Sequence, residues 1–529
     1  MKRLFYCVLG ILLALTTPTR AERVMVISDP HVLASTLLQQ GEAADEMLAS
    51  GRKMLDLSEP AFKALMDTAL LYRPELVLIP GDLTKDGEAV SHDTVAAQLA
   101  RLQAADIPVL VIPGNHDISN PSAYAYSGDQ KTKVANISDA DFDNLYASFM
   151  PVAPTAREAD SHSYVAEPFR GVTILAIDGT QGNAGTGSIS DNTLNWLLTQ
   201  ADVAAQKGNL IIAMCHWQLL EHVDQQTMIL SSSQLTNADS IAQLLTQHNV
   251  HLILTGHFHI NGITTKYYGT LNDSIVEVTT GSPVAYPCPY RWLDISADRS
   301  TVMVNTENIQ SLDTITDLHA YSRAWQQEHT ASMAPDAARR AWRKVDAYIA
   351  QMEKNSSLTM KLFVSALKVR IPQDDSTRVA LFEQYMKQSM VDMYILHSDA
   401  NEPDRPEKDS IVDVFYMNLT YFMAEVLGEE LLENPFGSMM IEAAINMLNT
   451  SVTSMTEDIT TGEDPAYTNR TDDLSLSLVL NAPQEIPNEG FESVVSEFNQ
   501  QTFDVLGRPV VYPAPGQVII RNNTKQVTK

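Results

Sequence analysis

In residues 109–117, VLVIPGNHD, an apolar segment is followed directly by residues of types that bind metal. The apolar part predicts a buried strand, and open α/β sheets bind ligands beyond the carboxyl ends of their strands. The polar part therefore predicts a metal site, at Gly114, Asn115, His116 and Asp117. Taken alone, these four residues fit a tight turn equally well, because Asn tolerates unusual backbone angles and Asp caps the following element.

The same arrangement recurs after other apolar segments of the chain. Metal-binding side chains follow separate segments at Asp29 and His31, Asp82, Asn115 and His116, His216, and His257 with His259. A lone histidine is more often a surface or core residue than a ligand, but this repetition predicts five strand ends at one edge. Imidazole and carboxylate without cysteine suit divalent Zn, Fe or Mn. Because eight such groups exceed the needs of one ion, we predict two metals that share a carboxylate.

Alternating strands and helices must position these residues. Strands are predicted at 23–28, 76–79, 172–177, 210–215 and 250–255, and helices at 60–72, 91–105 and 191–206. Residues 118–162 are polar and irregular, with Ser138 as a helix N-cap, and we expect them to form a loop over the site. In extended backbone His257 and His259 would face one side and Phe258 the other.

The ordered motifs resemble those of the calcineurin-like metallophosphoesterases over residues 23–300. They are Asp29-x-His31, Gly81-Asp82, Gly114-Asn115-His116-Asp117, His216 and Gly256-His257-x-His259. Two later stretches look like the closing strands of the cyclic-nucleotide phosphodiesterase branch, Thr280-Gly281-Ser282-Pro283 and Tyr290-Arg291. The resemblance implies an α/β fold, a two-sheet sandwich flanked by helices, with a dinuclear metal centre at one edge.

The resemblance also implies a role for each matching residue. One metal would bind Asp29, His31 and His259, the other would bind Asn115, His216 and His257, and Asp82 would bridge them. His116 would be a proton donor or phosphate contact, and Asp117 would orient its ring. Purple acid phosphatases place a tyrosine ligand shortly after the bridging aspartate, where this chain has Leu83-Thr84-Lys85-Asp86, so that branch and its ferric ion are not favoured.

Two cations about 3.5 to 4 Å apart lower the pKa of a bridging water, so that hydroxide can attack phosphorus near neutral pH. We therefore predict a metal-dependent phosphoesterase acting on a small phosphodiester, with a cyclic nucleotide as the first choice. A phosphomonoester or a phospholipid head group remains an alternative on the same site. An inactive binding protein would predict gaps among the ligand positions, and the sequence has none.

Charge and composition limit the partners. The 529 residues carry a formal charge of -29, and such a surface repels polyanions, so long nucleic acid is a poor substrate. Residues 1–21 have the basic start, the apolar core and the small residues of a secretory signal, and the core is too short for a membrane anchor. We expect a periplasmic, cell-surface or secreted protein. After removal of the signal segment, Cys215 and Cys288 are the cysteines that remain, and they allow one disulfide.

Beyond the catalytic domain, predicted at 22–310, composition changes twice. Residues 311–460 carry long helix-forming stretches, including 337–352 and 412–427, and predict a helical domain that could be a lid, a dimer interface or a stabilising appendage. Residues 474–529 predict a small β tail that begins with the alternating strand 474–480. The last part, with DVLGRPV and PGQVIIRNNTKQVTK, resembles bacterial type IX sorting segments, and a terminal β-hairpin is the alternative.

Overall fold

The structure is a computed structural model. It describes residues 21–149, 155–181, 186–222, 232–268, 273–332 and 334–354, individual residues between 361 and 395, and short strands at 468–469, 475–479, 503–504, 518–521 and 524–527. Residues 1–20 of the predicted signal segment 1–21 lie outside the described residues, and so does the predicted helix 412–427.

Strands and helices alternate through the first three hundred residues, as the sequence predicts. The strands are β1 (Glu22–Val26), β2 (Leu76–Pro80), β3 (Val109–Ile112), β4 (Tyr124–Ser127), β5 (Gln130–Lys133), β6 (Ala156–Arg157), β7 (Tyr164–Phe169), β8 (Val172–Ile177), β9 (Leu210–Cys215), β10 (Leu252–Thr255), β11 (Gly262–Tyr267), β12 (Ser274–Thr279), β13 (Pro289–Ile295) and β14 (Thr301–Asn308). Short strands follow at β15 (Thr468–Asn469), β16 (Ser475–Val479), β17 (Phe503–Asp504), β18 (Val518–Arg521) and β19 (Thr524–Val527). The helices are α1 (Glu42–Ala49), α2 (Ser58–Tyr72), α3 (Ala89–Gln103), α4 (Asp139–Ala147), α5 (Asp191–Gln206), α6 (Ala238–Gln247), α7 (Leu318–Ser332) and α8 (Ala334–Lys354).

Two large sheets organise the described residues. The six-stranded sheet has the order β16-β14-β13-β1-β2-β3, and the eight-stranded sheet has the order β15-β11-β12-β10-β9-β8-β7-β6. Strands β1, β2 and β3 pair in parallel, with Val24 opposite Leu76 and Val77 opposite Val109, and β9 and β10 are also parallel neighbours. Parallel neighbours end at the same edge of a sheet, so the polar residues that follow them are brought together.

Alternating side chains explain why the sheets stack. Along β1, Val24 and Val26 face the eight-stranded sheet, whereas Met25 and Ile27 face outward. The inner core is completed from the other sheet by Ile174, Met214 and Leu254. Helices α2 and α3 cover the outer face of the six-stranded sheet, and α5 and α6 cover that of the eight-stranded sheet. The predicted two-sheet sandwich flanked by helices is thereby confirmed.

The predicted helix ends and the predicted helix N-cap also agree closely with the structure. The helices predicted at 60–72, 91–105 and 191–206 are α2, α3 and α5, with ends displaced by no more than two residues. Ser138 caps α4 by accepting from the backbone N–H of Asp141, whose carboxylate accepts from Ser138 in return. Residues 118–162 hold the β4–β5 hairpin and α4 as well as loop.

The later part of the chain is described only in pieces. The predicted strand at 474–480 is β16, and it pairs with β14 at the edge of the six-stranded sheet. Strands β17, β18 and β19 form a separate three-stranded sheet. The domain boundaries at 310, 460 and 474 stay predictions. Cys215 and Cys288 are buried free thiols, so the disulfide that the sequence allowed is not formed. Within the described residues, none of the helices combines the length and apolar character needed to cross a membrane.

Candidate metal centre

Five of the predicted ligands lie in unusual backbone immediately after their strands. Asp29, His31, Asp82, His257 and His259 all have φ between 43° and 66°, in the left-handed region. Such backbone costs about 1 to 3 kcal/mol for a residue other than glycine and clusters at functional sites. The prediction that His257 and His259 project from extended backbone is therefore wrong, because β10 has already ended at Thr255.

Glycines allow the loops to approach one another closely. A Cβ atom on Gly114 would collide with the Asp82 carboxylate, and one on Gly256 would collide with Ser28 and Asp29. Gly114 is thus required by the close approach of the Asp82 loop rather than by a positive φ.

The first metal group consists of Asp29, His31, Asp82 and His259, whose ligand atoms lie within 4.8 Å of one another. His259 Nε2 is 2.9 Å from His31 Nε2 and 3.2 Å from Asp29 Oδ1. His31 Nε2 is 3.5 Å from Asp82 Oδ2. All four residues are buried.

The second metal group is formed by Asp82, His216 and His257, with Asn115 beside them. His216 Nε2 is 3.2 Å from Asp82 Oδ2 and 3.1 Å from Asn115 Oδ1. His257 Nδ1 is 3.2 Å from the same His216 nitrogen. Asp82 belongs to both groups, as expected of a residue that bridges two metals.

The protonation pattern of the second group fits a cation. His216 Nδ1 is 2.9 Å from the Pro80 carbonyl oxygen, and His257 Nε2 is 3.1 Å from the Ser232 carbonyl oxygen. Each of these nitrogens must carry the proton that it donates, so in the neutral rings the other nitrogen has a bare lone pair. These two lone pairs face each other and two side-chain oxygens. Such an arrangement is repulsive unless positive charge lies among them.

Electrostatics leads to the same conclusion. Burial alone would raise the pKa of Asp82, but His216 and His116 nearby hold it well below its usual value. Burial lowers the pKa of His216, yet the carboxylates of Asp82 and Asp29 outweigh it and raise that pKa to about 9. This edge therefore attracts positive charge strongly, and its nitrogen and oxygen donors fit two divalent metal ions.

His116 lies at the rim of the centre and differs from the ligands. Its side chain is 28% exposed, whereas that of His31 is fully buried. Its Nδ1 is 2.8 Å from Asp86 Oδ1, and its Nε2 is 4.0 Å from Asp82 Oδ2. The ring is thus fixed by one nitrogen while the other faces the centre.

Asp117 does not orient the His116 ring, which corrects the sequence prediction. Its carboxylate accepts from the backbone N–H groups of Leu83, Thr84 and Gly114 and from the Thr84 hydroxyl. It is fully buried and joins the loop after β2 to the loop after β3. The orienting carboxylate is instead Asp86, which lies in the segment where purple acid phosphatases have their tyrosine ligand.

Glu277 on β12 is a further site residue that the sequence analysis missed. One carboxylate oxygen accepts from the backbone N–H groups of Leu219 at 2.9 Å and Leu220 at 2.7 Å, and the other from the Thr255 hydroxyl at 2.6 Å. It therefore ties the loop that follows His216 to the strand end that precedes His257. A lone glutamate inside the apolar strand SIVEVT was the available signal.

Arg52 and Lys53 were also missed, because no strand end precedes them. Lys53 Nζ lies 3.4 Å from His31 Nε2, and Arg52 Nη2 donates to the Phe258 carbonyl at 3.1 Å. Two basic residues therefore border the first metal group.

Part of this chain is similar in sequence to known proteins. Residues 22–261 match the family model described as calcineurin-like phosphoesterase. A probable cyclic nucleotide phosphodiesterase from Moraxella catarrhalis is 26% identical over 199 residues, which is 37% of this chain and 63% of that protein. The chain thus spans less than two thirds of this relative. One with the same description from Rhodococcus erythropolis is 25% identical over 254 residues, covering 48% of this chain and 69% of that protein.

Two solved structures are partly similar to this chain. A dimetal phosphatase from Danio rerio has a TM-score of 0.40 and 14% identity, covering 55% of this chain and 96% of that one. A purple acid phosphatase from yellow lupin has a TM-score of 0.33 and 14% identity, covering 55% and 52%.

Proposed function

We propose that this chain, which carries a calcineurin-like phosphoesterase domain over residues 22–261, hydrolyses a small phosphodiester such as a cyclic nucleotide. The observation that carries the proposal is the shared carboxylate of Asp82 between two ligand groups, with His116 at their rim. Two divalent cations held there would lower the pKa of bound water and offset the charge that spreads over phosphorus during reaction.

His116 is the proton donor in this proposal. A phosphoester bond to an alkyl oxygen breaks readily only when that leaving oxygen gains a proton, and a positioned imidazole supplies one efficiently near neutral pH. Asp86 accepts a hydrogen bond from Nδ1–H of His116, so Nε2 of the same ring is directed at the metal centre. The leaving alcohol therefore departs on the side of the metal centre where the His116 ring is partly exposed to solvent.

Asn115 completes the second group without adding charge. Its amide oxygen lies 3.1 Å from His216 Nε2 and binds metal as a neutral donor. The carboxylates in the two ligand groups are those of Asp29 and Asp82, so a bound pair of divalent cations retains net positive charge. That charge attracts an anionic ester.

The choice of a phosphodiester is supported by the two relatives named above, each of which is described as a probable cyclic nucleotide phosphodiesterase. A phosphomonoester or a phospholipid head group is the alternative substrate, since one dinuclear centre can serve all three. Export is part of the proposal too and rests on the sequence pattern of residues 1–21 and on the C-terminal tail as a contact for export machinery.

A paired substrate panel tests the proposal. Protein reconstituted with Mn, Fe or Zn is assayed on bis(p-nitrophenyl) phosphate and on p-nitrophenyl phosphate, and then on 3′,5′-cyclic nucleotides. We expect a higher kcat/KM for the diester than for the monoester. A preference for the monoester overturns the proposed substrate class, and absence of turnover with every metal favours a binding protein.

A further inference from the structure

The segment 52–54, between α1 and α2, is fixed to the metal edge at two points. Arg52 donates from Nη2 to the Phe258 carbonyl, which lies between the ligands His257 and His259. Met54 is buried and donates its backbone N–H to the Val284 carbonyl at 2.8 Å. Lys53 lies between these two anchors, so its backbone position is determined by both.

The ammonium group of Lys53 lies over the face of the His31 ring. Its Nζ is 3.4 Å from His31 Nε2 and 3.5 Å from Nδ1. A point almost equidistant from both nitrogens cannot lie in the ring plane, because it would collide with the carbon between them. The ammonium therefore leaves the Nε2 lone pair of His31 free for metal.

Among the described residues, Lys53 is partly buried, whereas Lys131 and Lys133, which likewise form no ion pair, are exposed. Lys63, Lys207, Lys266 and Lys368 pair with Asp67, Glu167, Asp239 and Glu353 at 2.5 to 2.8 Å. Lys85 pairs with Asp86. In the part of the chain that the structure describes, no carboxylate forms an ion pair with Lys53 Nζ. The carboxylates of Asp82 and Asp86 act on it only from a longer distance, and they contact His216, Lys85 and His116 instead. In a protein of net charge -29, an ammonium left without a direct ion pair at a metal edge indicates an anionic ligand.

We propose that Lys53 is a phosphate-binding residue, whose ammonium donates to a non-bridging oxygen of the substrate beside the first metal group. This rests on the proposed function, since it takes the anion at this edge to be a phosphate ester. Lysine suits the role as a point charge with three donors, which follows a phosphate oxygen through changes of geometry at phosphorus. Arg52 is a positioning residue in this proposal, because its guanidinium fixes the segment to the Phe258 carbonyl.

Charge removal at Lys53 tests the proposal. Lys53→Met keeps the aliphatic stem, Lys53→Arg keeps the charge, and Lys63→Met removes an exposed lysine on α2 as the matched control. The readouts on metal-loaded protein are the Kd of inorganic phosphate by calorimetry, KM and kcat on the aryl diester, and bound metal by elemental analysis. We expect Lys53→Met to weaken phosphate binding and raise KM by about 10-fold, the scale of one charge-assisted hydrogen bond. Metal content should be unchanged, Lys53→Arg should retain most of the affinity, and Lys63→Met should match the unmodified protein.

Two results overturn the proposal. One is an unchanged phosphate Kd in Lys53→Met, or no phosphate binding by the unmodified protein. The other is a loss of bound metal in Lys53→Met that accounts for the weaker binding, which would make Lys53 a support for His31. The phosphate measurement needs no turnover, so a protein that binds phosphate through Lys53 but does not cleave the diester contradicts only the proposed function.

Discussion

The two sides of the metal centre are held in place by different means. On the six-stranded side, Asp29, Asp82 and Asn115 follow three adjacent parallel strands, and Asp117 joins the loops that carry Asp82 and Asn115. On the eight-stranded side, His216 and His257 follow β9 and β10, and Glu277 joins their loops from the neighbouring strand β12. The carboxylate that joins the loops is thus part of the ligand motif on the six-stranded side, where it is Asp117. On the eight-stranded side it is Glu277, which is distant in sequence from the ligands His216 and His257.

Each metal group draws ligands from both sides. The first group takes Asp29, His31 and Asp82 from the six-stranded side and His259 from the eight-stranded side. The second group takes His216 and His257 from the eight-stranded side and Asp82 from the other. Bound metal therefore links the two sheets, and the precision of the centre depends on both braces.

Removing the shared carboxylate should have the largest effect, because it breaks both groups together. We expect Asp82→Asn to lose bound metal and to lower kcat/KM by on the order of 10³-fold or more, since a preorganised charge at the reacting centre is removed. Elemental analysis and diester kinetics measure the two effects. A variant that kept both metals and full turnover would show that Asp82 is not the bridge.

The chemistry at the rim should be separable from metal binding. We expect His116→Ala to keep both metals and to lose about 10²- to 10³-fold in kcat, the usual contribution of a positioned proton donor. The loss should be larger for an alkyl ester than for an aryl ester, whose leaving oxygen needs no proton. Asp86→Asn should give a smaller loss of the same kind, because it weakens the contact that orients the ring but leaves the imidazole in place. If His116→Ala lowered kcat by the same factor on both esters, the proton-donor role would be excluded.

The contrast between the two sides explains what could be predicted from the sequence. The ligands Asp29, His31, Asp82 and Asn115 and the proposed proton donor His116 lie in short motifs at strand ends, where local sequence determines both position and chemistry. The strands and most helices were also predictable, because apolar periodicity reports which face is buried. The site geometry itself remained out of reach in three particular ways.

The role of Asp117 was wrong because adjacent residues in a turn direct their side chains differently, and sequence proximity to His116 does not indicate contact. The extended backbone expected at His257 and His259 was wrong because tertiary contacts impose left-handed backbone there. Glu277 and Lys53 were missed because each reaches the centre through pairing or packing across the chain, and their own neighbours in sequence carry no motif.

A substitution at Glu277 should give the smallest effect and test the comparison most sharply. Glu277→Gln removes the charge that strengthens these hydrogen bonds, and its amide NH2 can be accommodated only if it faces Thr255 and the Thr255 hydroxyl rotates to accept instead of donating. We expect the second metal group to bind Mn about 10-fold more weakly, the usual cost of losing support behind metal ligands, while the first group changes less. Calorimetric titration of Mn resolves the two steps, and Glu307→Gln, an exposed residue that pairs with Tyr290, is the matched control. Equal weakening of both binding steps would mean that Glu277 supports both metal groups together. Unchanged Mn affinity would mean that the ligands on the eight-stranded side keep their positions without Glu277.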